Sequence, residues 1–288
     1  MNCRRKDDES VQKKRSFLVL WIVLCIVICL LMLFFVLPMP TRNDIGILRT
    51  KLAEDGRIIH AGGFLKTQEG KIVTYTNSLD AINNLYEKGY RFCEIDLQET
   101  SDGIIICGHG DEGELVYGTG LPHNATGKEF MNSRIHGEFT PMTLPDLAGF
   151  METHPELFVI TDVKTDNIKV CGRIAEEYPD LQNRFIVQIQ LPEEYESITS
   201  LGFSYIMYPI FKTPDNQRDI LSLAVFARQH DLVAMIVANG YYSPDLKLNL
   251  AADIIGIPII LHTLNDEWEI NYYLDHYLAL AVYTDRTD

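Results

Sequence analysis

A TIM-type (β/α)8 barrel is the fold the sequence predicts, on three observations. Strand-like apolar runs alternate with helix-like segments from Arg57 to the end of the chain. Most of these runs are continuously apolar, as strands covered on both faces by helices are. Nine such runs can be counted, and one turns back too tightly on its predecessor to be parallel, which leaves eight parallel strands with a hairpin inserted after the second. An open doubly wound sheet is the alternative; no glycine-rich dinucleotide or P-loop pattern supports it.

Three short segments precede the barrel. Residues 1–16 are a basic tail, with six Lys/Arg against three Asp/Glu and Lys13, Lys14 and Arg15 at its end. Phe17 to Leu37 is apolar throughout, FLVLWIVLCIVICLLMLFFVL, close to the ~20 residues that a bilayer-spanning helix needs. The basic flank predicts that residues 1–16 are cytosolic and the remainder extracellular, a single pass through the cell membrane. A cleaved signal peptide would end in a small-residue site, and FFVLPMP offers none. A retained signal anchor over 17–37 is therefore expected. Pro38, Pro40 and the polar residues to 56 read as a stalk leading into one domain over 57–288.

Arg57-Ile-Ile-His60 is a short strand that stops at Ala61-Gly62-Gly63. Ser78 to Lys88 has Leu79, Ile82, Leu85 and Tyr86 on one helical stripe, closed by Gly89. Then comes the hairpin, RFCEIDLQETSDGIIICGH over 91–109, with Ser101-Asp102-Gly103 as its turn. Strand periodicity puts Glu94 and Asp96 on one face. A turn centred on Asp102 sets Asp96 opposite roughly residue 108 and delivers His109 beside the two carboxylates. Residues 110–142 form a long polar excursion, either a lid over the site or a plain surface loop. A helix is expected over 143–153. Strands at 157–164, 185–190, 204–210, 232–239 and 257–265 then alternate with helices, one of them Ser243–Gly256, before LALAVYTD closes the chain.

Composition narrows the function. The chain has 288 residues, 47% hydrophobic and 23% charged, enough for one large domain, or two small ones, with a core. A net charge of −15 argues against a nucleic-acid partner and suits a cation-binding domain. Of six cysteines, Cys3 falls in the basic tail and Cys25 and Cys29 in the apolar run. Cys93, Cys107 and Cys171 are expected as buried free thiols, since no disulfide framework or zinc spacing is present.

In such barrels the working face is the C-terminal end of the strands. The polar residues expected there are His60, Glu94, Asp96, His109, Asp162, Lys164, Gln188, Gln190, His262 and Asn265. Ionisable groups at the ends of apolar strands are costly unless paired or used. Glu94, Asp96 and Asp162 can chelate a hard divalent cation, Ca²⁺ or Mg²⁺, through oxygen. His60 and His109 can act as acid and base on two sides of a reacting centre. Lys164 is a point charge suited to a phosphate. This set describes metal-assisted phosphodiester cleavage.

The same residues resemble the glycerophosphodiester phosphodiesterase family, which shares its barrel with phosphatidylinositol-specific phospholipases C. IIHAGG is similar to the family's His-Arg-Gly strand and TNSLDAI (76–82) to its Glu-Asn-Thr helix start. FCEIDLQETSDGIIICGHG resembles its Glu-x-Asp, Thr-x-Asp-Gly and His-Asp signature, and VITDVK its Glu-x-Lys strand. IPIILHTLND and AVYTD resemble its closing strands. The resemblance implies His60 and His109 as the catalytic acid/base pair, Glu94, Asp96 and Asp162 as metal ligands, and Lys164 as a phosphate contact; Gln188 and His262, at the same ends of their strands, are expected as further substrate contacts. It implies a glycerophosphodiester or phospholipid-derived substrate, and the anchor is similar to that of surface-attached bacterial members. Three positions depart from the pattern. Ala61 stands in place of arginine, Gly110 in place of aspartate, and Asp162 in place of glutamate. An inositol-phospholipase-like lyase, a catalytically silent binding barrel and another class of metabolic barrel enzyme are the alternatives.

Overall fold

The computed structural model describes residues 16–29, 41–111, 113–213, 219–238, 256–276 and 279–287. The chain divides into two compact units, Met1–Pro40 and Thr41–Asp288. In the first, residues 16–29 are helical, and the apolar side chains from Phe17 to Leu24 and from Ile26 to Ile28 are exposed. Among the described residues no helix is long and apolar enough to cross a membrane. The remainder of the expected span, 30–37, lies outside the described residues, as do 1–15 of the basic tail and 243–255 of the helix read over Ser243–Gly256.

The second unit opens with α1 (Asn43–Asp55). Its strands are β1 (Arg57–Ile59), β2 (Leu65–Lys66), β3 (Ile72–Val73), β4 (Phe92–Glu99), β5 (Ile105–Cys107), β6 (Met142–Thr143), β7 (Phe158–Val163), β8 (Phe185–Gln188), β9 (Ile206–Pro209), β10 (Ala234–Ala238), β11 (Ile259–His262) and β12 (Ala281–Thr284). β1, β4 and β7 to β12 pair in parallel. Because β1 bonds to both β12 and β4, they close into an eight-stranded barrel. Among the described residues helices alternate with these strands and bury apolar stripes, as Asn167–Glu177 does with Val170, Cys171 and Ile174. β5 turns back through Thr100–Gly103 and pairs antiparallel with β4, Leu97 facing Cys107, and β6 extends that edge. Cys93, Cys107 and Cys171 are buried free thiols.

The period of two along the strands sorts the barrel interior into layers. At the N-terminal end Ile58, Phe92, Ile160, Ile186, Met207, Ala234, Ile260 and Ala281 fill the space with aliphatic and aromatic groups. One pleat higher on β4 stands Glu94 and two pleats higher Asp96, while Cys93, Ile95 and Leu97 take the other face. β4 and β7 are registered with Asp96 opposite Asp162, so two carboxylates from different strands meet by sheet register alone.

Residues 43–55, expected as stalk, belong instead to the barrel. Ile45, Leu48 and Leu52 recur at one helical face and are buried in the same cluster as Phe92 and Ile160, closing the bottom of the barrel. Arg49 fastens the helix with hydrogen bonds to Val233 O at 2.9 Å and Leu232 O at 2.8 Å. Gly56 ends it in the left-handed conformation, φ 66°, donating to Leu52 O. Each such buried aliphatic side chain contributes about 1.5–3 kcal/mol, so the helix is part of the folding unit.

The 110–142 excursion is packed. Leu115, Val116, Ala125 and Phe130 form a small core with Ile106. Its short helix, Gly127–Asn132, carries a complete capping box between Thr126 and Glu129. Gln98 ties the segment to β4 through Gly108 O and Leu115 O, both at 2.8 Å.

Candidate active site

His60 ends β1 because the chain cannot continue as strand there. Ala61, Gly62 and Gly63 all take positive φ, 47°, 83° and 81°. Side chains at the two glycines would collide: a Cβ on Gly62 would lie 2.7 Å from Ala81 Cβ, and one on Gly63 2.6 Å from Thr287 Cγ2. Ala61 is strained in that conformation by roughly 1–2 kcal/mol. Its peptide is well used in return, the N–H donating to Glu94 Oε2 at 2.9 Å and the carbonyl accepting from Asn77 N at 3.1 Å.

Two buried groups flank the His60 ring. Nδ1 is 2.8 Å from Asp285 Oδ1, and Nε2 is 3.9 Å from Glu94 Oε2. Asp285 is itself held by Asn265, whose amide donates to Oδ2 at 2.6 Å and whose carbonyl accepts from Asp285 N at 2.8 Å. The rings of Tyr75 and His262 stand edge-on to His60 at 4.8 and 4.9 Å. Burial opposes protonation of His60, but the Asp285 hydrogen bond and the charges of Glu94, Asp285 and Asp96 win, and its pKa rises to about 9. His262 goes the other way: burial and the neighbouring His60 push it to about 3, so it is a neutral ring.

The three predicted carboxylates come together, one oxygen from each lying within 4.8 Å of the others. Asp96 accepts from Asn77 Nδ2 at 2.8 Å and, on its other oxygen, from Lys164 Nζ at 2.8 Å. Asp162 takes Lys164 Nζ on one oxygen at 2.8 Å and Lys212 Nζ on the other at 2.5 Å. Burial raises and the two ammonium groups lower the Asp162 carboxyl, which ends below its ordinary value. Glu94 is the unsatisfied member of the cluster. It is buried, its Oε1 has no hydrogen-bond partner, and burial with the Asp96 charge pushes its pKa up to about 8. An orphaned carboxylate oxygen among hard donors is what a divalent cation satisfies. Glu94, Asp96 and Asp162 fit such an ion.

His109 follows β5, carried into the site by the hairpin as Gly108 N donates to Asp96 O at 2.9 Å. Its half-buried ring packs against Tyr117 at 5.4 Å and Tyr75 at 6.3 Å. Burial and the Lys164 ammonium hold its pKa below the ordinary value. Lys164 stays charged, since Asp96 and Asp162 outweigh its burial. Gln188 is the predicted contact that the structure turns elsewhere: its amide donates to the Tyr283 hydroxyl at 3.2 Å, inside the barrel. Gln190 likewise spends its amide on Val163 O. Sequence reasoning gives no role to Asp285, Asn77, Tyr75 or Lys212. The Thr-Asp end of the last strand and the Asn of TNSLDAI are the available signals for the first two.

This geometry agrees with what the chain is similar to. The glycerophosphoryl diester phosphodiesterase family matches residues 69–288. The chain belongs to that family. A curated relative, glycerophosphodiester phosphodiesterase 1 of Bos taurus, is 25% identical over 88% of this chain and 85% of its own. A glycerophosphoryl diester phosphodiesterase from Parabacteroides distasonis superposes with a TM-score of 0.60 at 14% identity, over 87% of this chain and 90% of that one. A phosphodiesterase from Oleispira antarctica, solved with the product sn-glycerol-3-phosphate, superposes with a TM-score of 0.56 at 17% identity, over 80% and 92%. At these identities the solved structures speak for the fold. Membership of the family makes the chain a phosphoric diester hydrolase of the glycerophosphodiester phosphodiesterase type.

Proposed function

We propose that this chain hydrolyses a glycerophosphodiester, a lipid headgroup or wall-polymer unit, to a phosphomonoester and an alcohol, using a divalent cation and His60 with His109. The orphaned Glu94 oxygen, facing Asp96 and Asp162 between two histidines of opposed pKa shift, carries the reading. Glu94, Asp96 and Asp162 would hold Ca²⁺ or Mg²⁺, which when bound supplies Lewis-acid stabilisation of negative charge on phosphate oxygens.

The protein's own groups do the rest. His109, favoured as the neutral ring, takes a proton from the attacking water. The water oxygen bonds to phosphorus as the bond from phosphorus to the alcohol oxygen breaks. His60, kept protonated by Asp285, gives its proton to the departing alkoxide. Lys164 faces the same centre with a positive charge for the phosphate. Tyr75, its pKa pushed up to about 12 by burial and nearby carboxylates, remains a phenol and separates the two histidine rings.

The barrel is proposed to work outside the cytosol. The apolar run of residues 17–37 and the basic flank before it support a single-pass anchor, with the barrel on the extracytoplasmic side. Protease added to intact cells should then remove the barrel; full protection would reverse the topology. For the activity, the full chain in detergent is incubated with glycerophosphodiesters, after EDTA and after return of Ca²⁺ or Mg²⁺. Metal-dependent release of glycerol phosphate, lost by at least about 10²-fold in His60→Ala and in His109→Ala, is expected. Activity in EDTA equal to that with metal would sink the cation's part. A cyclic phosphate product would replace hydrolase by lyase chemistry.

A further inference from the structure

We propose that Lys212 is a second phosphate-binding cation of this site, paired with Lys164 on the non-bridging oxygens of the substrate phosphate. The inference rests on the phosphodiesterase reading above and deepens it.

Lys212 ends the single turn Ile210–Lys212 that follows β9. The turn is fixed from below. Thr213 N donates to Ile210 O at 3.2 Å, and the buried Thr213 hydroxyl is hydrogen-bonded to the buried Tyr208 hydroxyl. So held, Lys212 reaches into the mouth of the barrel, its side chain 22% exposed and its Nζ 2.5 Å from Asp162 Oδ1. Lys164, at 25%, occupies the other oxygen of Asp162 and one oxygen of Asp96. Both ammonium groups therefore sit on oxygens that belong to the candidate cation cluster.

The charge balance favours a phosphate role. Without a cation, three carboxylates face two lysines, while the protonated His60 is balanced by its own partner Asp285. With a divalent cation, the carboxylates are outweighed by one positive charge, which matches the single negative charge of a phosphodiester. Removing Lys212 would leave that ensemble neutral. Position points the same way. β9 lies four strands from β1 in either direction around the barrel, so Lys212 faces the His60 side from directly across the mouth. At the position after His60 no side-chain charge reaches the site: Ala61 is fully buried, and its N–H is committed to Glu94. The arginine that the resemblance would set there is absent, and Lys212 supplies its charge from the opposite wall.

The test uses the full chain in detergent, saturated with Ca²⁺ and, in a parallel series, Mg²⁺. Binding of inorganic phosphate and of sn-glycerol 3-phosphate is measured by calorimetry, and cation binding is titrated separately without phosphate. Lys212→Ala should weaken both phosphates at least tenfold, Lys212→Arg should restore most of that, and cation affinity should hold or rise because a competing charge has gone. Unchanged phosphate affinity in folded, cation-loaded Lys212→Ala, with weakened cation binding, would make Lys212 a structural partner of Asp162 and overturn the proposal. Wild-type protein that binds inorganic phosphate through Lys212 but not glycerol phosphate would refute the substrate and leave Lys212 standing. Wild-type protein that takes neither would remove the phosphodiesterase reading, and this inference with it.

Discussion

Asp285 is the residue on which the acid role proposed for His60 depends. Three carboxylates raise the His60 pKa, and two of them, Glu94 and Asp96, are candidate cation ligands whose charge an ion would offset. Asp285 is not in that set. Its 2.8 Å contact takes Nδ1 and leaves Nε2 as the nitrogen on the Glu94 side, and Asn265 fixes Asp285. Asp285→Asn should therefore lower kcat by roughly 10²-fold or more and leave the fold intact. It should also move the alkaline limb of the kcat–pH profile to lower pH, because His60 would lose its proton sooner. An unmoved limb would release His60 from the acid role. Among single residues the carboxylates and His109 are legible in the sequence, since strand period and hairpin register place them by local geometry. Lys212 is not, because it follows the apolar stretch SYIMYPIF in a turn whose inward aim depends on Tyr208 and Thr213. Gln188 misleads for a related reason: sequence gives its face of the strand but not its depth, and at its depth the partner is Tyr283.

Among the elements, the strand β1 with its turn and the helix α1 show opposite lessons. The His-Ala-Gly-Gly turn is readable, because two glycines after a short apolar strand mark a backbone that side chains would block. The helix reads as stalk because two prolines and many polar residues precede and fill it, and only Ile45, Leu48 and Leu52 mark its apolar face. Three aliphatic residues are a weak signal in sequence and a strong one once the barrel floor lies beneath them. Leu52→Ala should cost about 2–5 kcal/mol of stability, measured by urea unfolding, with turnover per folded molecule unchanged. A loss below about 0.5 kcal/mol would return this segment to the status of a linker.

Over the whole molecule, an acidic chain of net charge −15 concentrates three carboxylates at one end of a closed barrel and answers them with two lysines and a protonated histidine. Eight-strand closure is legible from the alternation of apolar runs and helices, because that pattern has few other solutions. The charge balance is not, since it needs distances between strands remote in sequence. It has a consequence for stability. Glu94 and His60 bind their protons more tightly folded than unfolded. The stabilisation this gives is complete below about 4.5 and 6.5 and is lost as pH rises through about 8 and about 9. A bound cation would take over the role of the Glu94 proton, so cation affinity should climb as pH rises, by up to about tenfold per unit for one displaced proton.

Cation binding itself decides whether Glu94, Asp96 and Asp162 form a metal site. Ca²⁺ and Mg²⁺ are titrated calorimetrically into the full, metal-stripped chain at pH 6, 7 and 8, beside Glu94→Gln. Binding of a single ion is expected, tightening with pH and lost in Glu94→Gln, with that variant no less stable than the metal-free wild type. Binding unaffected by Glu94→Gln, or none at any pH in a folded protein, would refute the site.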